Sequence, residues 1–118
     1  MTFRELIAWQ KGMDFVVRIY AYTGGLPDSE KYGLVQQLRR AAVSIPSNLA
    51  EGYGRTTQVE FARFIDISLG STREIQTQLE ICERLGYSTA IEERKLAEEM
   101  AKILYALAKS VRAKLENF

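Results

Sequence analysis

The chain contains no histidine. That absence removes Ser-His-Asp and Cys-His nucleophile arrangements, histidine general bases and most zinc sites. It also removes the Glu-x-x-His ligand sets with which natural helical bundles bind two irons. The single cysteine, Cys82, has no partner for an internal disulfide, so nothing points to an oxidising compartment. Two prolines and eight glycines among 118 residues leave little room for loops. No apolar run approaches the roughly 18 residues that a membrane span needs. The opening MTFRELIAWQKGMDF is broken by charges and shows no signal-peptide cleavage site. A soluble, cytoplasmic chain without membrane contact is the expectation.

The net charge of +1 makes no global case for nucleic acid, which usually accompanies a strongly basic domain. The charge is uneven along the chain, however. Residues 64–93 carry two Lys/Arg against six Asp/Glu, and residues 94–118 carry six against three. Such asymmetry makes either local patches or ordinary solvated helix faces. With 47% apolar and 26% charged residues, the composition is that of one globular domain spanning residues 1–118.

Periodicity of three and four residues recurs throughout, and no stretch alternates like a strand. From Arg4 to Thr23 one apolar series is Leu6, Trp9, Met13, Val16 and Tyr20; beside it lie Ala8, Phe15, Ile19 and Tyr22. Together they cover roughly 220° of the helix, more than the ~100° needed to face one core. The excess, at Phe15, Ile19 and Tyr22, is expected to meet a second copy of the chain. Gly24-Gly25 and Pro27 end this helix. A second helix, capped by Asp28 or Ser29, shows Val35, Leu38, Ala42, Ile45 and Leu49 on one face. A third starts at the capping box Thr57–Glu60 and runs to Gly86, about 45 Å, with the seam Phe61, Ile65, Ser68, Thr72, Ile75, Leu79 and Cys82. Gly70, Ser71 and Thr72 are small and suit close helix approach. A last helix, capped by Thr89 with Glu92, carries Leu96, Met100, Ile103, Leu107, Val111 and Leu115. The expected fold is all-α: an up-down-up-down antiparallel four-helix bundle.

The stretch IPSNLAEGYGR, Ile45 to Arg55, looks at first like a phosphate loop. It lacks the Gly-Lys-Ser/Thr ending of a P-loop, and no strand precedes it. Leu49 keeps the phase of Leu38, Ala42 and Ile45 across Pro46, so a helix kinked at Pro46 and ended by Gly52 and Gly54 is expected. Ser44, Ser47 and Asn48 can satisfy the groups that the kink frees. Cys82 lies on an apolar seam and reads as a buried thiol. Asp66 and Glu74 stand about 12 Å apart along a helix and cannot share an ion directly, so no metal is expected. Glu74 and Gln78 interrupt a second seam, either as a buried polar network or where the face opens to solvent. Arg39, Arg40, Arg55 and Arg63 are the candidate phosphate-contacting group near one bundle end, against the alternative of solvated salt bridges with Glu51 or Glu74.

The runs EKYGLVQQLRRAAVSIPSNLAEGYGR and EFARFIDISLGSTREIQTQLEICERLGY resemble a bacterial four-helix-bundle family, the 23S rRNA intervening-sequence proteins. The resemblance covers nearly the whole chain, from the Trp9 region into the last helix. It implies a homo-oligomer, with a pentameric ring the family's best-known form. It also implies an architecture similar to the accessory protein of diversity-generating retroelements, a basic barrel that works with nucleic acid and reverse transcriptase. No enzymatic activity is established for the family, so there is no catalytic residue or cofactor to carry over. Two functions compete: a non-catalytic oligomer that binds RNA or DNA through arginines, and a protein-interaction scaffold without nucleic acid. An enzyme working through carboxylates or arginines is the third and least supported reading.

Overall fold

The computed structural model describes residues 1–116. Four helices carry them: α1 Ile7–Thr23, α2 Leu34–Tyr53, α3 Gln58–Arg84 and α4 Ile91–Glu116. Short 3-10 turns at Phe3–Glu5 and Asp28–Glu30 precede α1 and α2, and no strand occurs among the described residues. The helices pack in sequence order, and α4 also rests on α1, in a body 51 × 20 × 19 Å.

Each helix begins and turns inward for a local reason. The chain enters α1 through the Phe3–Glu5 turn, where the Thr2 hydroxyl accepts the Arg4 N–H and the Gln10 side chain donates to the Arg4 carbonyl. The inward row of α1 is Ala8, Gly12, Phe15, Ile19 and Thr23. Phe15 is 3% exposed and Ile19 fully buried within this one chain, so neither is offered to a second copy as the sequence pattern had implied. Gly12 and Thr23 complete that row at spacings of three and four. Neither registers as apolar, which is why the row looked like surplus rather than core. Met13 and Tyr20, from the other series, are exposed, and Tyr22 is half-buried.

The cap expected at Asp28 or Ser29 forms a 3-10 turn instead, and α2 proper starts at Leu34. The Glu30 carboxylate accepts the Leu34 N–H at 3.2 Å and the Tyr87 hydroxyl at 2.8 Å, tying the start of α2 to the α3–α4 turn. Of the expected inward face, Leu38, Ala42, Ile45 and Leu49 are buried and Val35 is half-buried, and α2 runs unbroken past Pro46. For α3 the expected seam is buried from Phe61 to Cys82, and the Thr57 hydroxyl accepts the Glu60 N–H. Its exit is a Schellman motif: Tyr87 N–H reaches the Cys82 carbonyl and Gly86 N–H the Glu83 carbonyl, with Gly86 at φ +80. The α4 cap differs from expectation. Ala90, buried and at φ +50, precedes the helix, and its N–H goes to the Ser88 hydroxyl rather than leaving Thr89 to cap. The deepest row of α4 is Ala97, Met100, Leu104, Ala108 and Val111, flanked by half-buried Leu96, Ile103 and Leu107.

Cross-helix contacts show how α2 and α3 run past each other. Gln37 meets Gln78, Ser44 meets Ser71, and the Ile45 carbonyl meets Ser68, so numbers rise on one helix as they fall on the other. Arg18–Glu93 links α1 to α4, while Arg94–Glu83 and Arg112–Asp66 link α4 to α3. Near the end of α2, Gly52 permits a close approach of α3. A Cβ there would lie 2.5 Å from Phe64 Cβ and 3.2 Å from the Phe61 ring. Gly52→Ala therefore forces the helices apart and is expected to cost about 1–3 kcal/mol, as overpacked cores do. Urea unfolding measures it; an unchanged midpoint would show that the contact yields freely.

Candidate binding surfaces

The four arginines singled out from the sequence do not form one group. Arg39 and Arg55 are separated by 16 residues of the α2 path, about 24 Å along a helix axis. The shared patch at one bundle end therefore does not exist. Arg39 is half-buried and held in place. Its Nε donates to the Thr23 hydroxyl at 2.8 Å, and its guanidinium lies 4.5 Å from the Tyr20 ring centroid. Thr23 itself donates to the Ile19 carbonyl, so Arg39 closes the C-terminal turn of α1, where a cation complements the helix dipole. Arg55 pairs with Glu51 at 2.7 Å and sits 5.0 Å over the Phe64 ring. That pair is exposed, of a kind worth only about 0.3–0.5 kcal/mol. Arg40 and Arg63 are exposed and form no ion pair among the described residues.

The interior polar groups are committed to joining helices. Ser68 donates to the Ile45 carbonyl, Thr72 to the Ser68 carbonyl, and the Ser44 and Ser71 hydroxyls share a 2.8 Å hydrogen bond. Asn48 donates to both the carbonyl and the hydroxyl of Ser44. Ser44 and Asn48 thus bond to each other and to Ser71 rather than to the Ala42 carbonyl that Pro46 leaves without its usual donor, and Ser47 is exposed. The two polar residues of the second α3 seam divide: Gln78 is 8% exposed and meets Gln37, while Glu74 lies outside. Glu93, buried on α4, receives the Arg18 guanidinium at 2.7 Å.

A second cationic region lies where α3 begins and α4 ends. A groove of about 450 Å³ is lined by Asp66, Leu69, Tyr105, Ala108, Lys109 and Arg112, among others. Arg112 grips both carboxylate oxygens of Asp66, and this contact raises the arginine pKa further above its ordinary value. Lys109 and Tyr105 are exposed, and Arg63 stands one turn ahead of Asp66 on α3. From the sequence, Lys109 and Arg112 read only as cations that complement the dipole at the end of the last helix, and Tyr105 had no role. Their spacing of four and three residues, within a tail richer in cations than acids, was the available signal.

The matched pattern spans most of this bundle. Residues 4–109 match the family described as 23S rRNA-intervening sequence protein. The chain belongs to this family. Its fold is also that of a protein with unknown function from the S23 ribosomal protein family of Bacteroides thetaiotaomicron, with TM-score 0.79 and 24% identity over 87% of this chain and 96% of that one. Among curated proteins, none shows significant similarity to the chain. Within the family's fold, no helix described here is long and apolar enough to cross a membrane.

Two measurements check how these side chains are used. Arg39→Ala is expected to lower stability by about 1–2 kcal/mol in urea unfolding, because it strips a charged donor from buried Thr23. A loss below a few tenths would make Arg39 a surface residue in effect. Tyr22 offers a pH test. Its hydroxyl lies near Cys82 and Ser88 without a hydrogen bond of good geometry, and burial pushes its pKa up to about 12. The unfolded tyrosine ionises near 10, so above that pH the unfolded state loses a proton that the folded state keeps, and stability falls. Burial of the Cys82 thiol pushes its pKa up as well and acts in the same direction. Tyr22→Phe should be neutral or stabilising at pH 7 and should flatten the stability loss above pH 10; an unaltered alkaline limb would exclude Tyr22 as its source.

Proposed function

We propose that the protein is a non-catalytic homo-oligomer, a single-domain up-down-up-down bundle kinked at Pro46, that binds RNA or DNA phosphates. The opposed numbering of the α1–α2, α2–α3 and α3–α4 contacts supports the bundle. The observation that carries binding is the α3–α4 groove, where Lys109 and the Arg112–Asp66 pair follow exposed Tyr105 along α4. A groove that combines cations with an aromatic face suits single-stranded nucleic acid, whose phosphates follow the charges while a base stacks on the ring. The reference to 23S rRNA in the family's name favours RNA as the first ligand to examine. Repetition of the groove in an oligomer raises the avidity of a site that is weak alone. A pentamer is the assembly implied by resemblance, and the cytoplasm is the compartment that suits an RNA partner. Arg40, Arg63 and Arg55, the last released from its weak pair, can add phosphate contacts at other points. Arg39, engaged with Thr23, contributes through the fold.

The absence of histidine and the commitment of buried serines, Asn48 and Glu93 to helix contacts support a binding role over a catalytic one. A protein-interaction scaffold is the second reading, supported by apolar residues on the outside of α1 such as Val17, 70% exposed. Titration of a labelled single-stranded RNA at rising salt separates the two. The nucleic-acid reading expects affinity to fall linearly with log salt, and Lys109→Ala to reduce the slope by about 0.7 per lost phosphate contact. Tyr105→Ala should weaken binding while leaving that slope nearly unchanged. Binding that is absent, or indifferent to salt, would overturn the nucleic-acid reading in favour of the scaffold.

A further inference from the structure

Two grooves lie end to end between α3 and α4, and Tyr105 lines both. One is the groove of Lys109 and Arg112 described above. The other, about 370 Å³, is bounded by Arg73, Gln76, Glu98, Ala101, Lys102 and Tyr105. The helices are antiparallel here, with Asp66 meeting Arg112 and Glu83 meeting Arg94. Arg73 therefore stands near the level of Tyr105, and Gly70 near that of Ala108 and Lys109. On α3, Asp66, Gly70 and Arg73 recur at four and three residues and are all exposed, so they form one shoulder of this face. At Gly70 a Cβ would meet nothing within 4 Å. Glycine weakens a helix interior relative to alanine, and no contact within the chain requires it here. The expected close helix approach is met inside the chain by Ser71 and Thr72, which are buried, and not by Gly70. Gly70 instead lowers the shoulder between Asp66 and Arg73, where the backbone of a ligand can come close.

The charges on this face are unequally engaged. Lys109 is exposed and forms no ion pair among the described residues. Arg112 presents two guanidinium nitrogens to the two oxygens of Asp66. That fork is the one with which arginine takes two oxygens of a phosphate, so Asp66 stands where a phosphate would. The pair is half-exposed on both sides and holds the fold only weakly, so exchanging its carboxylate for a phosphate costs little. Lys102 pairs at 3.5 Å with Glu98, also in the open. One turn beyond, the surplus reverses, because Arg94 is held by both Glu80 and Glu83. The cationic part of the face therefore runs from Arg112 to Lys102, ten residues or about 15 Å.

We propose that a single strand of RNA lies along this face from Arg112 to Lys102, passing over Gly70, and that it takes Arg112 by displacing Asp66. This rests on the phosphate-binding reading above and names the path of the strand and the carboxylate that competes with it. Tyr105, shared by the two grooves, receives one unpaired base on its exposed ring; a duplex, with its bases stacked on one another, offers no such face. Phosphates on either side of that base meet Lys109 and Arg112 in one groove and Arg73 and Lys102 in the other. Asp66 keeps Arg112 paired when no strand is present and makes a weakly bound strand easier to release.

Titration of the full chain with a labelled oligouridylate of about 12 nucleotides, at several salt concentrations, tests this. Asp66→Asn should bind about two- to fivefold more tightly, the worth of an exposed ion pair that the strand no longer has to break. Asp14→Asn, which removes an equal charge from the exposed side of α1, should leave the affinity unchanged. Gly70→Leu fills the lowered shoulder and should weaken binding about tenfold, comparable to losing a stacked base. Its urea midpoint should be no lower, since leucine favours a helix and the position is open. Lys102→Ala should reduce the salt slope by about 0.7. If neither the unaltered chain nor Asp66→Asn binds, phosphate binding itself is overturned. If the unaltered chain binds with salt dependence, this path is overturned and phosphate binding stands under either of two results: Gly70→Leu binds as well, or Asp66→Asn gains no more than Asp14→Asn.

Discussion

Where Ser68 donates to the Ile45 carbonyl, α2 and α3 are held in register beside the point at which Pro46 has removed a backbone donor. A proline inside a helix leaves the carbonyl four residues back without its partner and crowds it. Here small polar side chains cluster beside Pro46: Ser44 with Ser71, Asn48 with Ser44, and Thr72 behind Ser68. A buried hydroxyl without a partner would cost a few kcal/mol, and these are paired. The seam therefore tolerates only a narrow range of sliding between the helices. Nearly two turns beyond Pro46, Gly52 lets Phe61 and Phe64 close over α2.

The other helices are positioned from this seam. α1 approaches α2 at Gly12, where an added Cβ would come within 3.3 Å of Ile45 and 3.6 Å of Pro46. The same stretch of α2 thus meets α3 through polar groups and α1 through Ile45 and its proline ring. α4 completes the enclosure with a row rich in alanine, which keeps its backbone near α3 and α1. Charged side chains then tie the periphery, Arg18 to Glu93 and Arg112 to Asp66, with Glu30 and Tyr87 joining the two turns at one end.

This arrangement sorts residues that look alike in sequence into different roles. Arg39 and Arg40 are adjacent, yet successive helical residues point about 100° apart. One closes the end of α1 against Thr23, and the other stands on the surface opposite Glu74 without pairing. Ser71 and Gly70 are also adjacent; one holds α2 and the other faces open space. On its outside the molecule presents an apolar groove between α1 and α2, the exposed Gly70 on α3, and an α3–α4 groove with an exposed tyrosine.

Four helices, the seam from Phe61 to Cys82, the face from Leu38 to Leu49 and the passage of α2 beyond Pro46 were legible in the sequence. Each depends on local periodicity and on which residues tolerate burial, properties that a linear chain displays. The missing histidine likewise excluded whole classes of chemistry without any fold. Which of two α1 series faces inward was not legible, because Gly12 and Thr23 complete the buried row without being apolar. Nor could spacing show that Arg39 and Arg55 stand far apart, that Glu74 lies outside while Gln78 is buried, or that Tyr105, Lys109 and Arg112 share a groove with Asp66. Those facts depend on the rotation of each helix about its axis and on the register between neighbours. Both are set by contacts between residues distant in the chain, and only the tertiary structure brings those residues together.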